Sequence, residues 1–335
     1  MEAPQVGIFA LGTASHAYLE LDAVAGRDPR ELVLEVASLR EPRTTMGGVN
    51  LVAGFRPELW RSVAPNEVPH DVGGLATDLV GEDGFVMPAT QHDAVLWLSG
   101  SAYDVIFDTA RVAIAELREV AIVADETSSW PYRHDLDLTG FIDGTENPTL
   151  IEALEVVLVP EGEQGAGGTV LLLQKWEHDA SAWEALPVER QELVIGRRKS
   201  DSTELEDKPA DSHVASTDQD EFGKIFRRNM PYGTVTEHGT MFVGFSREQS
   251  RLARMLESMA GLTSGVRRCV DGLHATRHWC LLLHSLRDGP TPHLRVNRPT
   301  GWYRRRELGR YCSSGEGGIR AEPRIPSTRK ASSST

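Results

Sequence analysis

The spacing of apolar residues changes repeatedly along this chain, and the order of those changes restricts the fold more than any other feature. Gly7 to Leu11 is a short apolar run and predicts a strand. Asp28 and Pro29, with Glu31 three residues after the Asp, have the form of a helix start, and Leu32, Val36 and Leu39 then share one helical face. Val49 to Phe55 and Ala94 to Ser99 predict strands. Ala102 to Glu119 predicts a helix with Val105, Thr109 and Val112 along one side, and Val120 to Ala124 a further strand. Strand, helix, strand, strand, helix, strand is the split unit of ferredoxin-like folds.

The later sequence repeats this logic. Thr169 to Trp176 predicts a strand, and Pro187 to Ile195 a helix closed by Gly196. Thr240 to Phe245 predicts another strand. Ser246 and Gln249 have capping-box spacing, Leu252, Met255, Leu256 and Met259 form an apolar helical face, and Gly261 ends it. The expected architecture is therefore α+β, with two ferredoxin-like halves over residues 1–130 and 131–266. Residues 267–335 are expected to be an atypical tail, and from Leu286 onward Arg, Pro, Gly and Ser dominate, a composition of disorder.

Composition narrows the function classes. With 40% apolar and 25% charged residues the chain reads as globular. A net charge of -14 weighs against nucleic acid as a partner, because phosphate binding needs a basic surface. The charge is uneven: residues 275–335 hold 12 Lys+Arg against 4 Asp+Glu, a local excess of +8. No run approaches 18 apolar residues, so no membrane span is expected. Met1 to Val6 lacks the basic start of a secretory signal, and a cytoplasmic setting is the expectation. Cys269, Cys280 and Cys312 form no CxxC pair and signal neither a zinc site nor a disulfide framework.

Three segments hold chemistry. Gly140 to Pro148, GFIDGTENP, reads first as a tight turn, since Asp-Gly and Asn-Pro are turn pairs. Its density of Gly, Asp, Glu and Asn beside Phe141 and Ile142 also suits a backbone that approaches a flat cofactor, with Asp143 as an acid–base group. His213 lies in a polar stretch after Pro209, and imidazole is a usual axial ligand of haem iron. Ile225 to Gly233 carries Arg227, Arg228 and Asn229. Paired arginines are commonly a solvated face, but a fixed guanidinium also stabilises developing negative charge.

In this order and spacing, GFIDGTENP at 140–148, SHV at 212–214 and FRRNMPYG at 226–233 resemble the bacterial dye-decolourising haem peroxidases, in the porphyrinogen peroxidase-like branch. The resemblance runs over roughly residues 5 to 266 and is concentrated in the three motifs. It implies one haem b per chain, held by His213 as the proximal iron ligand, with Ile142, Gly144 and Arg227 against the cofactor. It also implies Asp143, Arg227 and Asn229 as catalytic groups, while Arg228 has no assigned role. The implied activity is reduction of hydrogen peroxide with oxidation of dyes or porphyrinogens by way of a small-molecule reductant, in a homo-oligomer without membrane or nucleic acid. Trp176, Trp183 and Tyr232 are candidates for electron entry, although such aromatics are more commonly core. The alternatives are a haem-binding or iron-releasing protein, or an inactive relative.

The chain departs from this family after residue 266. The family continues with an Asp that accepts a hydrogen bond from the proximal His, then a final apolar strand. Here the chain reads Arg267-Arg268-Cys269-Val270-Asp271-Gly272-Leu273-His274. A shifted reading frame would account for the difference; it would leave a sheet edge bare and His213 without its carboxylate, for which Asp271 is near enough in sequence to be a substitute but is not the favoured reading.

Overall fold

The computed structural model describes residues 4–39, 48–73 and 77–284. The first half holds strands β1 (Ser15–Ala23), β2 (Val49–Phe55), β3 (Leu79–Val80), β4 (Val86–Met87), β5 (Ala94–Gly100) and β6 (Ala121–Ser129). Helices α1 (Pro29–Ser38), α2 (Pro57–Val63) and α3 (Tyr103–Leu117) connect them. The second half holds α4 (Leu150–Val157), β7 (Thr169–His178), α5 (Ala180–Glu184), α6 (Val188–Ile195), α7 (His213–Ser216) and α8 (Gln219–Phe222). It continues through β8 (Phe226–Arg227), β9 (Met230–Gly233), β10 (His238–Ser246), α9 (Gln249–Met259) and β11 (His274–His284). Among the described residues no helix is long and apolar enough to cross a membrane.

The large sheet runs β7-β11-β2-β5-β1-β6-β9-β10-β8, and β7 also pairs with β10. That last pairing closes the sheet into a barrel. Within the first half the order β2-β5-β1-β6 is antiparallel throughout and is that of a ferredoxin-like unit. The second half matches it with β11-β7-β10-β9. The two halves meet at thin seams: β6 touches β9 through Ser129 and Tyr232, and β11 touches β2 through Leu283 and Phe55.

Alternation along each strand divides the core in two. Tyr18, Val95, Trp97, Leu171, Leu173, Met241, Val243 and Phe245 form a buried cluster inside the barrel. Their neighbours Leu19, Leu96, Leu98 and Leu172 join a second cluster with Leu32, Val36, Leu252 and Met255 of the helices outside. Both faces of β5 are covered, so all seven of its residues are buried and its sequence is an almost unbroken apolar run.

Most expected elements form where their patterns lie, and Asp28 caps α1 by accepting from the Arg30 N–H. The differences have physical causes. Gly7 to Leu11 is no strand: Val6–Phe9 is a 3-10 turn laid against β2. The first strand is β1, whose buried His16 and Glu20 disguise its alternation. On α3 the buried side is Ile106, Ala110, Ala113 and Leu117, and Val112 is exposed. The capping box expected at Ser246 does not form. Glu248 is the N-cap residue of α9, and the Gln249 amide instead holds both the N–H and the C=O of Gly73, each at 2.8 Å.

The largest correction concerns residues beyond 266. They do not leave the fold there: Cys269–Gly272 forms a 3-10 turn and β11 pairs with β7 from His274↔His178 to His284↔Thr169. The edge of β7 is therefore covered, and the second half extends at least to His284. The expectation of a disordered or frame-shifted tail over 285–335 lies outside the described residues.

Candidate active site

The side chains of β7 and β10 that point away from the barrel interior form the floor of a cavity of about 940 Å³, where Leu172, Trp176 and Phe242 lie. Leu252, Met255 and Met259 of α9 line it as well. A second cavity of about 800 Å³ adjoins it and shares Asp143, His213 and Arg227 with it.

Strand period two explains the arrangement of residues 226–229. Phe226 is buried in the barrel interior and Arg227 lines the cavity. Arg228 returns to the interior, and Asn229 again lines the cavity. Arg228 donates to the carbonyls of Ile8 and Ala10 at 2.9 and 2.7 Å, and its guanidinium sits 5.1 Å from the Trp97 ring centroid. Burial lowers its pKa to about 10, so it stays charged at neutral pH. Arg228 is thus an anchor for the N-terminal segment, a role the sequence did not suggest.

The 140–148 segment folds as the expected chain of turns. Gly144 takes a left-handed conformation (φ 78°), and its carbonyl accepts from the Asn147 N–H at 2.9 Å. That turn aims the Asn147 amide at strand β8. Its Nδ2 donates to the Arg227 carbonyl and its Oδ1 accepts from the Arg227 N–H, both at 2.9 Å. The motif therefore fixes the backbone of the arginine it faces, 80 residues away. Glu146 pairs with the buried Arg197, which Glu204 also contacts.

Asp143, Arg227 and Asn229 line one cavity. Asn229 has a defined orientation: its Oδ1 accepts from the Val243 N–H at 3.1 Å, which turns its amide N–H toward the Asp143 carboxylate at 3.2 Å. It holds Asp143 in place. The Arg227 Nε is buried and has no partner among the described residues. Ile142 and Gly144 line the adjoining cavity and not the main one. Asp137, which sequence reasoning missed, lines both cavities, and burial pushes its carboxyl up to about 6.

His213 opens α7. Ser212 caps that helix, accepting from the Ala215 N–H at 3.3 Å. Gly196, at the end of α6, permits the packing: a Cβ there would stand 2.9 Å from Ser212 Oγ. Burial first, then the charges of Arg268, Arg227 and Arg197, hold the His213 ring well below the ordinary imidazole range, so it is neutral. Its Nδ1 lies 3.0 Å from the Arg268 guanidinium, so Nε2 is the ring nitrogen that this contact leaves unengaged. Asp271 is not the substitute acceptor. Its carboxylate accepts from Arg268 Nε at 2.8 Å and from Nη2, and not from the imidazole. Trp176, Trp183 and Tyr232 are all buried.

Comparison with known proteins gives this arrangement a family. The family described as "Dyp-type peroxidase, C-terminal" matches residues 134–275. A dye-decolorizing peroxidase of Brevibacterium linens is 36% identical over 220 residues, 63% of this chain and 59% of that protein. One from Mycobacterium tuberculosis is 38% identical over 181 residues, 51% of this chain and 54% of that protein. The solved structure of DyPB from Rhodococcus jostii is 30% identical with a TM-score of 0.76, covering 85% of this chain and 96% of that one. A variant of the Rhodococcus protein is solved in complex with heme, with a TM-score of 0.74 at 30% identity, covering 82% of this chain and 94% of that one. The chain belongs to the Dyp-type peroxidase family. The matched region spans less than two thirds of the length of these curated relatives.

Proposed function

We propose that the chain is a haem-dependent peroxidase that reduces hydrogen peroxide and oxidises organic substrates such as dyes or porphyrinogens. The observation that carries this reading is the meeting of Asp143, Arg227, Asn229 and His213 on one cavity. The residues fit haem b: the cavity is mostly apolar, His213 lines it, and Arg227 has a buried donor without a partner among the described residues. When bound, haem supplies the iron at which peroxide is reduced and electrons are then drawn from the organic substrate. His213 would hold that iron through Nε2.

The remaining work falls to the chain. Arg227 places a fixed positive charge where negative charge develops on a departing oxygen. The Asp143 carboxylate takes and returns the peroxide proton, directly or through water. Asn229 and Asn147 keep these two groups in register. Three polar groups set for proton and charge handling exceed what haem storage needs, so the peroxidase reading is favoured over a haem-binding or iron-releasing protein. Exposed Leu150, Ile151 and Leu154 of α4 support a homo-oligomer.

The test is peroxide-dependent dye oxidation by haem-loaded protein. Arg227→Ala and Asp143→Ala are each expected to lower kcat by roughly 10²-fold or more. A parent without peroxide turnover, or variants with the parent's rate, overturns the proposal.

A further inference from the structure

Arg268 stands where a metal-binding imidazole normally finds a hydrogen-bond acceptor. Its Nη1 lies 3.0 Å from His213 Nδ1. A guanidinium only donates, so Nδ1 must accept. A neutral imidazole that accepts at Nδ1 carries its proton on Nε2, the nitrogen that a metal needs bare. Metal-bound histidines have the opposite arrangement, donating from the second nitrogen to a carboxylate, carbonyl or water. We propose that Arg268 is a positioning residue that sets His213 in the wrong tautomer for iron, so that the protein binds haem weakly and must move Arg268 to bind it at all. The proposal rests on the haem reading given above.

Arg268 cannot withdraw freely. It is buried, and its Nε and Nη2 both donate to Asp271 Oδ1. Its Cζ lies 4.8 Å from the Trp176 ring centroid, and its backbone N–H donates to the Met259 carbonyl at 3.0 Å. Asp271 is itself buried, and its Oδ2 has no partner among the described residues. Displacing the guanidinium would break a buried ion pair and a cation–π contact together. The same clamp that holds Arg268 directs the Asp271 carboxylate to the guanidinium and not to the ring.

Two measurements test this. In the haem-free protein, long-range ¹⁵N–¹H NMR of His213 should show the Nε2–H tautomer, and an Nδ1–H tautomer overturns the proposal without any variant. In haemin titrations followed by the Soret band, Arg268→Gln combined with Asp271→Asn removes both charges while keeping similar shapes and avoids stranding a lone carboxylate. This variant should bind haemin roughly 10- to 100-fold more tightly than the parent, the range second-shell changes produce. Its ferric/ferrous midpoint should move to more negative potential as the imidazole gains basicity. Equal affinity in parent and variant overturns the proposal. If neither binds haemin and His213→Ala changes nothing, the haem reading has failed instead, while the NMR result still decides the tautomer.

Discussion

Asn147 shows how much of the site depends on one amide. It makes two hydrogen bonds to the backbone of Arg227 across 80 residues. Asn147→Ala removes both and leaves the Arg227 N–H and C=O without these partners in a half-buried position. The expected cost is about 1 to 3 kcal/mol of stability in a urea titration. Turnover of the haem-loaded enzyme should fall while KM for the dye stays near its parent value, because the change moves Arg227 and not the dye's binding surface. The individual motifs were legible in the sequence: Asp143, His213, Arg227 and Asn229 all line the cavity. What they do to one another was less legible. The 3.2 Å bond from Asn229 to Asp143 joins residues 86 apart, and no local pattern encodes such a pairing. Arg268 escaped notice for a different reason: it lies beyond the three motifs, in a stretch read as departing from the family, although the family match runs to residue 275.

At the scale of elements, α4 connects the motif to the barrel. Thr149 and Glu152 form a reciprocal capping box at its start, with the Thr149 N–H donating to Glu152 at 3.0 Å and the Glu152 N–H donating to Thr149 at 3.4 Å. Thr149→Ala should lower stability by about 1 kcal/mol, read as a shift in urea midpoint at unchanged slope. Elements with a single dominant signal were readable from sequence. α1 declared its cap, and β2, β5 and β10 formed within two residues of their apolar runs. β1 was hidden because the barrel interior accepts polar side chains: His16 receives a hydrogen bond from Trp97 Nε1 at 3.1 Å and is fully buried. Periodicity records polarity, and here polarity and burial part company.

For the molecule as a whole, buried histidines shape the response to acid. Burial holds His16 and His178 at about 4 and His274 at about 2. An unfolded chain would charge these rings near pH 6.5, where the folded one refuses the protons. Stability is therefore fully present above about pH 6.5 and falls as pH drops toward 4, by up to roughly 1.4 kcal/mol per pH unit for each ring. Asp137 acts in the other direction. Its folded value of about 6 lies above the unfolded one, so its contribution grows as pH falls through that window. Urea midpoints of the haem-free protein between pH 4 and 8 should decline on the acid side, and Asp137→Asn should steepen that decline. A flat profile in the parent would contradict the burial of these rings.

The thin seams of the barrel carry a consequence for synthesis. β2 is complete when Phe55 leaves the ribosome, yet its second neighbour arrives only with Leu283. At about 5–20 residues per second, roughly 10 to 45 s separate the two. Throughout that interval β2 keeps one unpaired edge, and the aromatic stack of Tyr18 and Trp97, once made, stays uncovered until β7 and β10 emerge. Ribosome-associated chaperones have their longest opportunity to act there, and a slower translating host should give a lower yield of intact barrel.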